Sequence, residues 1–245
     1  MEWGAVAFAV GVVLLASTAQ SVAGFGFALI AVPLFVTVLD VRDAVVLTTL
    51  LGVVNTGILA VTNRRNVPWS TVLPLLAGAV AGMPAGLAVL LLAPPDAIRL
   101  LVAAATLLMT VALLRGLRLE SRSLLVELGV GGVSGSLNTS TGTNGPPVVL
   151  YLQGREFPPE EFRAALAVFF VTCNVITLGT FLASRIVTLD AVALFAAGLP
   201  AIAAGTTLGH AVGRRVEAER FRALVFGLLI ASALAAAGVA IAGAV

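Results

Sequence analysis

Between Leu128 and Gly154 the chain reads LGVGGVSGSLNTSTGTNGPPVVLYLQG, 27 residues without a charge. Its middle nevertheless crowds Ser134, Asn138, Thr139, Ser140, Thr141, Gly142, Thr143, Asn144 and Gly145 ahead of Pro146 and Pro147. A stretch so free of charge belongs in lipid, where backbone polar groups must be satisfied within the segment. Two consecutive prolines remove two N–H donors and end any helix that reaches them from the N-terminal side. The stretch therefore reads as a helix that breaks and restarts at membrane depth. Exposed backbone at that depth is tolerated only when it is enclosed in protein or lines a cavity.

A second stretch behaves the same way. Trp3 to Leu39 has 37 residues without a charge, which as one helix spans about 55 Å, against about 30 Å of hydrocarbon. A 40° tilt absorbs only about 39 Å. Its middle holds Ser17, Thr18, Gln20, Ser21, Gly24, Phe25 and Gly26, so it too must break or fold back. The rest of the chain agrees with a lipid setting. Of its 245 residues, 60% come from the apolar and aromatic set and 25 more are Gly, about 70% together where soluble domains have about half. Charged residues make up 11%, mean hydropathy is +1.10, and no soluble core buries that much apolar surface. A water-soluble enzyme, a nucleic-acid binder and a disordered chain are excluded. The start, Met1-Glu2-Trp3 and then an apolar run, lacks the basic region and cleavage site of a secretory signal.

Eight hydrophobic blocks follow one another: Trp3 to Leu39, Ala44 to Asn63, Asn66 to Pro95, Leu100 to Arg115, Leu128 to Gly154, Ala164 to Ser184, Ala191 to Gly209 and Ala223 to Val245. The two that must break each open one half of the chain. Gly26 and Gly145, like Asn55 and Asn174, lie 119 residues apart, and Gly78 and Gly198 lie 120 apart, a weak internal duplication. The expected organisation is two membrane repeats, residues 1–120 and 121–245.

The 14 cations are all arginine, and their placement decides how the broken blocks run. If each crosses once, the arginines divide eight against six. If each folds back as a hairpin, Arg64, Arg65, Arg115, Arg118, Arg122, Arg155, Arg163, Arg214, Arg215, Arg220 and Arg222 share one side and leave Arg42, Arg99 and Arg185 on the other. Eleven against three satisfies the positive-inside rule. Each half then holds a hairpin plus three crossings, so the halves are inverted and both termini lie outside. The fold class is an all-α polytopic membrane protein of two inverted repeats, with about ten helices.

In such a fold the site lies where the two breaks meet. A helix restarting at Phe27 and another at Pro146 turn their N-termini, with free N–H groups and positive dipole ends, toward one cavity, a ready anion site without buried arginine. The candidate binding residues are Gln20, Gly24, Phe25 and Gly26 at the first break, Gly142, Thr143, Asn144 and Gly145 at the second, and Asn55 and Asn174 between them. The two asparagines serve equally well as hydrogen-bonding links between helices. One histidine, His210, and one cysteine, Cys173, leave too few ligands for zinc, haem or an iron–sulfur cluster, so no cofactor or metal is expected. His210 and the paired arginines read as interfacial, Cys173 as packing, and Glu127 as interfacial or as a coupling carboxylate.

At its two breaks the chain resembles the sulfite exporter TauE/SafE family of membrane proteins, also described as sulfonate permeases. The residues that carry the resemblance are Gly24-Phe25-Gly26 with Pro33, and Gly135 followed by Gly142-Thr143-Asn144-Gly145-Pro146-Pro147 and Tyr151. The resemblance implies a prokaryotic inner-membrane transporter of small sulfur-containing anions such as sulfite or organosulfonates. The residues by themselves give a polytopic protein with an anion cavity. The expected function is secondary transport by alternating access, since no nucleotide-binding loop is present. Its alternatives are a permease for a small carboxylate and a membrane-embedded enzyme, which lacks a nucleophile and base here. The expected partners are the anion and the bilayer, with no nucleic acid. Direction, H⁺ or Na⁺ as a coupling ion, and a homodimer stay open at this point.

Overall fold

The computed structural model describes residues 3–63, 66–213 and 218–243, without the side chains of 213–226 and 242–243. The described residues form ten helices and no strand. They are α1 (Trp3–Ala23), α2 (Phe27–Phe35), α3 (Val41–Asn63), α4 (Trp69–Leu92), α5 (Pro95–Leu114), α6 (Leu124–Thr141), α7 (Gly145–Gly154), α8 (Pro159–Ala183), α9 (Leu189–Gly213) and α10 (Ala218–Gly243). Six of them, α1, α3, α4, α5, α8 and α9, are long and apolar enough to cross a membrane. The chain is a polytopic membrane protein.

Both uncharged stretches break where their sequence demands it. Helix α1 stops at Ala23 and α6 at Thr141, each followed by left-handed backbone that favours glycine, at Gly26 (φ 109°) and Gly142 (φ 71°). The chain then restarts as helices of only 9 and 10 residues, about 14 and 15 Å long, or half the hydrocarbon. Pro146 and Pro147 occupy the first turn of α7, where a missing N–H costs no helical bond. Each broken block is thus a long helix followed by a half-length return whose N-terminus lies in mid-bundle.

Contacts at the helix ends fix the direction of α1 to α9. The Arg42 guanidinium, at the start of α3, donates to the Leu90 and Leu91 carbonyls at the end of α4, at 3.3 and 2.9 Å. Arg99, early in α5, donates to the Val36 carbonyl just after α2 at 3.4 Å. The Thr188 hydroxyl, ahead of α9, donates to Asp43 at 2.7 Å. These ends share one face, here the Arg42 face. On the opposite, Arg155 face the Asn66 amide donates to Glu160 at 2.8 Å. There Arg155 donates to Thr71 at 3.3 Å, the Leu119 N–H to the Leu150 carbonyl at 3.2 Å, and Arg163 to the Val22 carbonyl at 3.3 Å. Helix α1 therefore starts from the Arg42 face and α2 returns to it, whereas α6 starts from the Arg155 face and α7 returns there. Both blocks are hairpins, and the halves run in opposite senses. Arg42, Arg99 and Arg185 lie on one face and Arg115, Arg118, Arg122, Arg155 and Arg163 on the other, as the hairpin count requires. Arg64, Arg65, Arg214 and Arg215 lie outside the described residues, as do the side chains of Arg220 and Arg222.

Packing repeats the same exchange. Helix α1 lies on α9 and α6 on α4, so each long hairpin helix packs on the other half, while α3 pairs with α8 and α5 with α10. Both hairpin pairings are parallel and very close. A methyl added at Gly82 of α4 would stand 2.8 Å from the Gly132 carbonyl carbon, and one at Gly205 of α9 would stand 2.6 Å from the Leu14 carbonyl oxygen. Without water to expel between them, helices in lipid associate through such close backbone approach. A polar pin fixes the second hairpin at the Arg155 face: the Tyr151 hydroxyl of α7 donates to Glu127 of α6 at 2.7 Å, and Arg155 donates to Tyr151 at 3.4 Å as well as to Thr71 of α4.

Candidate anion site

The two breaks meet. A cavity of about 400 Å³, open space at its mouth included, is lined by Gln20 of α1, Gly26 of the first break, Phe27, Ala28 and Leu29 of α2, and Thr48, Gly52 and Thr56 of α3. Gly142, Asn144 and Gly145 of the second break and Phe170 and Asn174 of α8 complete it. Among the described residues that line it, none is charged.

The first break supplies most of the donors. Gln20, 2% exposed, accepts the Phe27 N–H on its side-chain oxygen at 3.2 Å. Because an N–H meets only an acceptor, this bond fixes the amide's orientation and turns its nitrogen away from α2. That nitrogen has no partner among the described residues. The Ile30 N–H is bonded to the Gly26 carbonyl at 3.1 Å, so the Ala28 and Leu29 N–H groups precede the first completed turn of α2, at its positive end.

The second break contributes differently from the expectation of free N–H groups at both helix starts. Pro146 and Pro147 leave the first turn of α7 with Gly145 as its one N–H. Asn144, 6% exposed, makes up part of the loss through a side-chain nitrogen with no partner among the described residues. The cavity threonines supply no proton: Thr48 and Thr56 donate their hydroxyls to the Ala44 and Gly52 carbonyls at 2.8 and 2.6 Å. Directed hydrogens thus come from amides, and the field from two helix ends. Such a combination suits a negative charge without needing a cation.

Of the ten residues expected here, Gln20, Gly26, Gly142, Asn144, Gly145 and Asn174 line the cavity. Four do not. Gly24 lies in a lower cleft, and Phe25 packs on the apolar core. The Thr143 hydroxyl pairs with that of Thr141 at 2.6 Å. Asn55 is buried away from the cavity, its amide nitrogen without a partner among the described residues. Reasoning from the sequence missed Phe27, Ala28, Leu29, Phe170 and the α3 stripe Thr48-Gly52-Thr56. That stripe was findable, since positions four apart share one helix face. Gly52 is there for Asn174, whose amide nitrogen a methyl on Gly52 would meet at 2.7 Å. Glu127 stands outside the cavity, held by Tyr151, and Cys173 is buried in the core. Among the described residues no cluster of His, Cys, Asp and Glu can hold a metal ion.

Comparison with curated proteins and with solved structures returned no match. Residues 9–236 match the model of one family, described as sulfite exporter TauE/SafE. With both breaks and nearly the whole length inside the match, the chain belongs to the sulfite exporter TauE/SafE family of membrane transporters.

Proposed function

We propose that this chain is a secondary transporter that carries a small sulfur oxyanion or sulfonate, such as sulfite, through the cavity between its two breaks. One observation carries the reading: the start of α2 and the start of α7 face the same uncharged cavity, together with the amide nitrogens of Gln20 and Asn144, which have no partner among the described residues. Helix N-termini with free N–H groups bind tetrahedral and pyramidal oxyanions without a neutralising cation. The matched packing of residues 1–120 and 121–245 supports their division into inverted repeats. It also supports alternating access, in which one hairpin helix and its partner rock against the other pair around the fixed site. The positive-inside rule makes the Arg155 face cytoplasmic and puts both termini outside a prokaryotic inner membrane. The chain acts without catalysis or cofactor, and its coupling ion, H⁺ or Na⁺, is not one bound by a carboxylate of the cavity.

The test is a ligand panel on detergent-purified protein, followed by flux in liposomes. At about 100 times its dissociation constant a true ligand adds about 2.7 kcal/mol of stability. Sulfite or methanesulfonate is expected to stabilise and to be taken up unchanged. Stabilisation by acetate alone moves the substrate to the carboxylates, and release of a chemically altered product refutes transport.

A further inference from the structure

A second cleft, about 550 Å³ with its open mouth included, lies on the Arg155 side of the first break. It is lined by Ser21, Gly24, Leu59, Thr62, Asn63, Arg163 and His210. Its walls continue those of the central cavity: Ser21 follows Gln20, and Leu59 lies about one turn beyond Thr56 on α3. An ion moving between the cavity and the Arg155 face along these walls passes Arg163.

Arg163 is placed and left free to meet it. Its stem crosses Gly24, where an added methyl would stand 3.3 Å from the Arg163 Cγ, and one guanidinium nitrogen donates to the Val22 carbonyl at the end of α1. It forms no ion pair among the described residues. The neutral groups around it are already engaged with backbone carbonyls. Ser21 and Thr62 donate to the Ser17 and Ile58 carbonyls, and the Asn63 amide to that of Leu59.

The symmetric positions on the other face carry no charge. The offset of 119 residues puts Ala44 at the place of Arg163, and the offset of 120 puts Leu90 at that of His210; both are fully buried. On that side Val32, Val36, Val41 and Val45 are packed into the apolar core, each 0 or 1% exposed. Arg42 and Arg99 of that face are engaged otherwise: Arg42 donates to the Leu90 and Leu91 carbonyls, and Arg99 is paired with Asp96 and donates to the Val36 carbonyl.

We propose that Arg163 and the cleft it lines form a staging subsite, which collects the transported oxyanion at the Arg155 face and hands it to the neutral central cavity. The proposal rests on the anion-transport reading above. A guanidinium at the mouth of a low-dielectric cleft raises the local anion concentration and entry rate, and salt screens the effect. A residue that merely capped α1 would act without regard to salt.

The experiment measures initial sulfite uptake, well below saturation, in membrane vesicles that expose either face. Arg163→Gln is expected to slow entry from the Arg155 face about tenfold at low ionic strength, with the gap closing as potassium chloride is raised. Entry from the Arg42 face stays unchanged, and Arg163→Lys, which keeps the charge, keeps most of the rate. Equal, salt-independent losses in both variants would make Arg163 a structural cap and overturn the subsite, as would an unimpaired Arg163→Gln. Absence of saturable sulfite flux in the unaltered protein overturns the transport reading, and the subsite with it.

Discussion

Gln20→Glu separates the charge of the site from its shape. The two side chains are nearly isosteric, and a glutamate oxygen can keep the 3.2 Å bond from the Phe27 N–H. What changes is the group turned away from α2, where an N–H donor becomes a carboxylate oxygen. A carboxylate at a helix start gains about 0.3–1 kcal/mol, and up to about 2 when partly buried, which offsets part of its desolvation. The folded protein is therefore expected to keep its stability within about 1 kcal/mol. Binding fares differently. An anion held by the same helix start sits within about 4 Å of the new charge, and repulsion at an effective dielectric constant of about 20 is about 4 kcal/mol. That is on the order of a thousandfold in affinity. A sulfite concentration of 100 times the original dissociation constant then adds about 0.06 kcal/mol in place of about 2.7. The assay is thermal unfolding in detergent with and without sulfite, paired with liposome flux at neutral and acidic pH. Flux is expected to vanish at neutral pH and to recover in part on acidification, when the new carboxyl is protonated. Asn144→Asp has the same sign, from the second break. A Gln20→Glu protein that folds and still shows the full sulfite-dependent shift would refute the idea that the anion sits at the start of α2.

Gly135→Ala puts a methyl 2.6 Å from the Ala79 carbonyl carbon and 2.7 Å from its Cα, so α4 and α6 must separate; a loss of about 1–3 kcal/mol is expected in chemical or thermal unfolding. Gly11→Ala, with nothing within 4 Å of the added carbon, is expected to be close to neutral in the same assay. Cys173, fully buried beside the cavity residue Asn174, is expected to react slowly with a small permeant thiol reagent and more slowly still with sulfite bound; rapid labelling by a bulky impermeant reagent would contradict its place in the core. Reporter fusions in the Arg118 and Arg185 loops are expected on opposite sides of the membrane, with Arg118 cytoplasmic; finding both on one side would refute the inverted arrangement.

Much of this molecule is legible one residue at a time. Absence of charge marks Trp3 to Leu39 and Leu128 to Gly154 as lipid-embedded, and their length and glycines mark them as broken. Pro146 and Pro147 place the second restart to within a residue. The sum of arginines chooses hairpins over single crossings, because a charge must end in water wherever its helix begins. These features follow from local chemistry and from a solvent whose thickness is known.

Which residues line the cavity is not settled that way. In a soluble protein apolar periodicity separates inside from outside, but lipid and protein interior are both apolar, so a membrane helix shows little periodicity to read. Phe170 and Leu29 look no different in sequence from residues that face lipid. The sequence places Asn55 and Asn174 at matching positions, yet only the packed bundle puts Asn174 on the cavity lining and leaves Asn55 off it. The partners of the glycines are equally hidden. Gly78, Gly82 and Gly86 lie four residues apart on one face of α4, and it takes the folded bundle to set them on α6 of the other half. The sequence by itself determined the solvent, the breaks and the direction of the chain; tertiary packing decided that the breaks meet and which amide nitrogens face the cavity there.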